Sequence, residues 1–131
     1  PLPVTFHRAF DASRDLDQAL DVLQELGVRR VLTSGGERTA EAGIGTLKRL
    51  VSRAGDRITI LAGGGIDETN AARIVKETGV REIHLRGTRP RASSMTYRNP
   101  RLVLGKPVVA DDDTRLVTDS ARIRAVRDLL S

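Results

Sequence analysis

Four times this chain runs a short apolar stretch into a polar or glycine-rich tip and then into a helical pattern. The tips are Thr5-Phe6-His7-Arg8, Leu32-Thr33-Ser34-Gly35-Gly36, Leu61-Ala62-Gly63-Gly64-Gly65 and Ile83-His84-Leu85-Arg86-Gly87. Strand–helix units repeat in this way. The rhythm therefore predicts parallel strands whose polar ends gather along one edge of the sheet. A parallel sheet buries aliphatic side chains, and the composition agrees: Phe6, Phe10 and Tyr97 are the only aromatic residues. Four units are half the number that closes an eight-fold barrel.

The units read as follows. Val4 to Ala9 is the first strand, with Thr5 and His7 on one face and Val4, Phe6 and Arg8 on the other. Asp11 and Ser13 are placed to cap a helix from Asp15 to Leu26, whose Leu16, Ala19, Leu20, Leu23 and Leu26 form an apolar stripe ended by Gly27. Val28 to Thr33 is the second strand and Thr39 to Ala54 the second helix. Ile58 to Ala62 is the third strand, with Asp67 capping a helix that runs to Thr78. Glu82 to Arg86 is the fourth strand. From Gly87 to Thr118 the rhythm breaks. Pro90, Pro100, Pro107 and the acidic run Asp111-Asp112-Asp113 predict a long stretch without regular structure. Thr118 or Asp119 then caps a last helix carrying Ile123, Val126, Leu129 and Leu130. The right-handed rule for each crossover leaves an open doubly wound sheet or part of a (β/α)8 barrel. Chemistry at nearly every tip favours the barrel, because in an open sheet it concentrates where strand order reverses.

With 131 residues, 39% hydrophobic and 30% charged, the chain is expected to form one globular domain. A net charge of +5 is spread among interleaved acids, which suits an ordinary surface or a small anionic ligand. Nucleic acid is not an expected partner: no recognition motif accompanies the charge, and stacking aromatics are scarce. No apolar run approaches the ~20 residues of a membrane span. The chain holds no cysteine, so thiolate and disulfide chemistry are excluded within it. Its start, Pro1-Leu2-Pro3-Val4, lacks the features of a signal peptide and falls almost inside a strand, as at a unit boundary.

Several residues suit chemistry at the tips. Gly63, Gly64 and Gly65 end strand three just before a helix, a pattern that brings backbone N–H groups close to phosphate or carboxylate. It also describes a plain tight turn. Gly87, Thr88 and Arg89 would form the opposite lip. Alternation places His7 and His84 on the interior face, as general acid–bases, metal ligands or hydrogen-bonded interior residues. Arg8 and Asp11 form either a local ion pair or clamps for a substrate. Thr5, Thr33 and Ser34 add hydroxyls for ligand hydrogen bonds or for a helix-entry turn. Met95 is the only thioether. A three-ligand Cu(I) site would need nearly every candidate donor in the chain.

The segments Thr5-Phe6-His7-Arg8-Ala9-Phe10-Asp11, Leu32-Thr33-Ser34-Gly35, Gly63-Gly64-Gly65-Ile66, Glu82-Ile83-His84 and Ser93-Ser94-Met95-Thr96-Tyr97-Arg98-Asn99-Pro100 occur in this order. Together they closely resemble the CutC family of copper homeostasis proteins, over nearly the whole chain. The resemblance implies a (β/α)8 barrel of which this sequence is strands five to eight, a cytoplasmic location, and a role in copper binding or trafficking. It marks His7, Arg8, Asp11, Thr33, Ser34, Gly63, Gly64, Gly65, His84, Ser94, Tyr97, Arg98 and Asn99 as motif positions. Leu85, Arg86 and Gly87 depart from the small residues the family often has there, making the pocket mouth more cationic. The family's first half, with its cysteines, lies outside this sequence.

Four parallel strands leave two edges open, so the chain is expected to associate with itself through them or with a first half-barrel. Three functions are in view. One is copper homeostasis. The second is an enzyme or sensor for a small phosphorylated or carboxylated metabolite. The third is a truncated or engineered half-barrel without activity of its own.

Overall fold

The computed structural model describes residues 2–97, 99, 101 and 114–131. Four parallel strands, β1 (Thr5–Phe6), β2 (Arg30–Thr33), β3 (Thr59–Gly63) and β4 (Glu82–His84), form one sheet in sequential order. Phe6 lies opposite Val31, Val31 opposite Ile60, and Ala62 opposite Ile83. Three helices follow the first three strands: α1 (Leu16–Glu25), α2 (Ile44–Ala54) and α3 (Ala71–Thr78). This is the half of a (β/α)8 barrel that the rhythm predicts.

The sheet is packed on one face. Val31, Ile60 and Ala62 alternate onto the buried side and meet Leu20 and Leu23 of α1, Leu47 and Leu50 of α2, and Ile74 of α3 in one aliphatic core. Phe10 closes that core at the tip of β1. On the opposite face Arg30, Leu32, Thr59, Leu61 and Glu82 are only half-buried. Neighbouring helices are further tied at the surface. Arg49 donates to Asp17 at 3.2 Å and Arg53 Nε to Asp21 at 3.1 Å, joining α2 to α1. Exposed pairs of this kind each contribute little.

Several boundaries differ from the sequence expectation, each for a local reason. The first strand stops at Phe6, because His7 Nδ1 accepts the Ala9 N–H at 3.1 Å and turns the chain into a 3-10 helix, Arg8–Ala12. That helix uses up Asp11 and Ser13, so the cap of α1 passes to Asp15. Its Oδ1 accepts from Asp17 N at 2.9 Å and Gln18 N at 3.0 Å. The second helix starts at Ile44, after a turn in which Gly43 N donates to Thr39 O. Asp67 caps a turn at Thr69 (N–H to Oδ1 2.8 Å), and α3 begins only at Ala71. The fourth strand ends at His84.

The largest difference lies after Gly87. Instead of an irregular stretch, its two ends pair as an antiparallel ladder, β5 (Thr88–Ala92) with β6 (Thr114–Thr118), Thr88 facing Thr118. The acidic run, Pro100 and Pro107 lie outside the described residues. The chain then enters α4 (Ser120–Leu129), capped by Asp119, whose Oδ1 accepts from Ala121 N at 2.9 Å. Among the described residues, no helix is long and apolar enough to cross a membrane.

Candidate functional site at the strand tips

The tips of β1 and β2 interlock around one carboxylate. Asp11 Oδ1 accepts from Thr33 Oγ1 at 2.5 Å and from Gly36 N at 3.0 Å. Its Oδ2 accepts from Arg8 Nε at 2.8 Å and Ser34 Oγ at 3.0 Å, and the Ser34 N–H reaches both oxygens. Arg8 Nη2 donates to Ser34 Oγ and, at 3.1 Å, to the carbonyl of Glu37. Thr33 Oγ1 in turn accepts from Gly35 N at 2.9 Å. Burial by itself would raise the Asp11 pKa. The hydrogen bonds from Thr33, Arg8, Gly36 and Ser34 outweigh it and hold the group below its ordinary value. Asp11 is therefore a fixed anion at neutral pH, a poor general base and a strong structural anchor.

Arg8 leans from this knot over the glycine turn. Gly64 has φ +109°, and a Cβ there would stand 3.1 Å from Arg8 Nη1 and 3.3 Å from Ser34 Cβ. The absent side chain is what lets the guanidinium lie across the end of β3. Gly63 serves a second approach, since its Cβ would strike Leu32 and crowd His84. His84 thus stands on the open face of the sheet, beside Gly63. His7 is also exposed, though it caps a turn instead of facing inward from a strand. That is a correction to its expected place: the 3-10 helix takes His7 out of the strand alternation. The helix after the glycine turn begins too late, at Ala71, to aim its N-terminus at Gly63, Gly64 and Gly65.

The lip at β4 is built differently. A groove of about 180 Å³ runs between Gly65 and Gly87, with Asp67, Glu68, Arg86 and Arg122 as its charged lining. Arg122 of α4 donates to both carboxylate oxygens of Glu68 at 2.9–3.3 Å and through Nη1 to the Thr88 carbonyl at 2.6 Å. That ion pair lowers the Glu68 pKa. Arg89 pairs with Asp119 at 3.3 Å. Across the open face of the sheet, Arg30 grips Glu82 through Nε and, at 2.9 Å, Nη2, and Arg30 Nη1 donates to Thr5 Oγ1 at 3.3 Å. The hydrogen bond from Arg30 holds the Glu82 pKa below its ordinary range.

The structure thus brings together Arg8, Asp11, Thr33, Ser34 and Gly64. It keeps Ser94 and Tyr97 exposed on the segment after β5, with Asn99 Oδ1 accepting from Arg101 N at 3.1 Å. Arg98 lies outside the described residues. Sequence reading missed Glu37, whose contribution is a backbone carbonyl. It also missed the Arg30–Glu82 and Arg122–Glu68 pairs. The first pair had a signal, two opposite charges at interior-facing strand positions. The second had none, its partners being 54 residues apart.

The donors available for copper lie apart. His7 has Nδ1 engaged, Met95 is exposed, and His7 follows β1 while His84 ends β4, with β2 and β3 between those strands. Three strand spacings are about 14 Å, too far for a shared ion. Among the described residues, no group of three His, Cys, Asp or Glu side chains converges. The described residues of one chain do not converge on a copper centre.

The sequence model of the CutC family matches residues 1–89. The chain belongs to the CutC family. It is 47% identical over 122 residues to a CutC family protein of Bacteroides thetaiotaomicron, covering 93% of this chain and 49% of the relative. To the human copper homeostasis protein cutC homolog it is 40% identical over 126 residues, covering 96% of this chain and 46% of the human protein. A crystal structure of a CutC protein from Streptococcus agalactiae superimposes with a TM-score of 0.60 at 38% identity, over 63% of this chain and 41% of that one. The chain spans about half the length of the curated CutC relatives it matches.

Proposed function

We propose that this chain binds a small phosphorylated or carboxylated metabolite at its strand tips, where Arg8 lies over the Gly63-Gly64-Gly65 turn. The observation that carries the reading is the guanidinium of Arg8 held over Gly64, where a side chain would otherwise begin. Arg8 is fixed on Asp11, Ser34 and Glu37 through Nε and Nη2, so Nη1 is presented without the cost of ordering a free arginine. Backbone N–H groups of a glycine turn are the complement such an anion needs. The groove at the β4 lip is less suited, because Asp67 and Glu68 line it.

The test is a titration with inorganic phosphate and with citrate, followed by amide NMR. Shifts at Gly64 and Gly65 in the parent, lost in Arg8→Gln with the amides of α1, α2 and α3 unmoved, are expected. Unmoved amides at millimolar anion would overturn the reading.

A second reading is copper homeostasis, favoured by the name of the human relative. Its donors within one chain are His7 and His84, which do not meet. Calorimetry with Cu(I) on the parent, His7→Ala and His84→Ala distinguishes it. Equal heats in all three would remove both histidines from the account.

A further inference from the structure

We infer that the β5–β6 ribbon is a second anion site, in which Arg91 and Arg115 together clamp one phosphate group of a small ligand. The charge of the chain is unevenly placed. Residues 1–85 carry twelve basic and twelve acidic side chains, so the whole of the +5 lies in residues 86–131, where ten basic side chains meet five acidic ones. A local excess of this kind attracts anions that an evenly mixed surface does not. The described acids of that stretch are already committed. Asp119 caps α4 and pairs with Arg89, and Asp128 pairs with Arg127. Glu68, from the neighbouring unit, is taken by Arg122. The other three acids are the run Asp111-Asp112-Asp113, outside the described residues.

Register sets Arg91 directly opposite Arg115 across the antiparallel ladder, whereas in the ribbon's other four pairs at most one member is charged. Directly opposed residues point to the same face with their β-carbons about 5 Å apart, and like charges there repel. Both side chains are exposed, and neither has a hydrogen-bond or ion-pair partner among the described residues. Arg89, two residues along the same face, has Asp119 as its counter-ion. An oxyanion between Arg91 and Arg115 supplies the counter-ion that this pair lacks. One guanidinium fork satisfies a single carboxylate, so two forks side by side suit a phosphate, which offers more oxygens and more charge.

The ribbon is anchored in the fold. At its base the Asp119 N–H donates to the Gly87 carbonyl at 2.8 Å, and Arg122 Nη1 donates to the Thr88 carbonyl at 2.6 Å. It leaves the parallel sheet just after β4, at the end where the polar tips gather. Both arginines belong to one ladder, apart from the edges of the parallel sheet. The pair needs neither Arg8 nor the glycine turn.

The test is a titration with inorganic phosphate at constant ionic strength, followed by NMR of backbone amides and arginine Nε–H groups. Saturable shifts are expected at residues 89–92 and 114–117 and at the Nε–H of Arg91 and Arg115. Arg91→Gln and Arg115→Gln are each expected to weaken binding about tenfold, and the double variant little further, because a clamp needs both arms. Arg124→Gln removes the same charge from α4 and should leave the affinity unchanged. Arg91→Glu sets a carboxylate opposite Arg115, and should abolish phosphate binding while slowing amide exchange in the ribbon. No shift at millimolar phosphate overturns the inference. So do shifts that chloride reproduces, or that Arg124→Gln weakens equally. A parent silent toward phosphate that binds it once Asp111, Asp112 and Asp113 are changed to Asn would give the pair to the chain's own acidic run, and overturn it too. An oligonucleotide held far more tightly than phosphate, and weakened equally by Arg86→Gln and Arg124→Gln, would make the surface a general polyanion contact instead. Shifts at Gly64 and Gly65 report on Arg8 and those on the ribbon on this pair, so the two readings fail separately.

Discussion

Asp11 holds two strand tips together, and its replacement should show how much the rim depends on one carboxylate. Asp11→Ala leaves the N–H groups of Ser34 and Gly36 and the Thr33 hydroxyl without their acceptor and frees Arg8 from its partner. Urea denaturation is expected to register a loss of about 2–4 kcal/mol. The same group sets a pH dependence. Its pKa is depressed in the folded state, so its contribution is complete above the ordinary carboxylate value and fades as pH falls through the lower, folded one. Acid unfolding monitored by circular dichroism should therefore begin at higher pH in Asp11→Asn than in the parent. Gly64→Ala tests the surface beneath Arg8. At φ +109° with Arg8 3.1 Å away, a methyl group is expected to cost about 1–3 kcal/mol and to displace the guanidinium. The spacing of Arg8 and Asp11 made an ion pair legible in the sequence, and Thr33 and Ser34 stood out as a polar tip. That the pair and the tip would share one carboxylate was not legible, because the contact spans 22 residues and depends on strand register.

At the level of elements, periodicity located the four α-helices and four parallel strands of the described residues, missed the 3-10 helix Arg8–Ala12, and left local hydrogen bonds to set the ends. His7 is the clearest case: alternation read it as a strand residue, and a side-chain acceptor two residues from Ala9 N made it a cap. Asp11 and Ser13 lost the cap of α1 to Asp15 for the same reason. The pairing of β5 with β6 was hidden because its partners lie far apart and the intervening prolines suggested irregular chain. Helix α4 depends on that ladder and on Arg122, which joins Glu68 to the Thr88 carbonyl. Arg122→Leu is expected to raise hydrogen exchange in α4 and β5 while β2 and β3 stay protected. Asp119→Ala removes the helix cap and the partner of Arg89, and should lower stability by about 1 kcal/mol.

For the whole molecule, the sequence determined the parallel half-barrel, its aliphatic core and the gathering of polar tips. These follow from strand–helix periodicity and from side-chain chemistry that acts over a few residues. Only the tertiary structure decided that Asp11 is a half-buried anchor, that Arg8 lies over Gly64, and that His7, just beyond β1, and His84, at the end of β4, stand at opposite sides of the sheet. Those facts depend on which strands become neighbours and in what register, and packing across the sheet sets both.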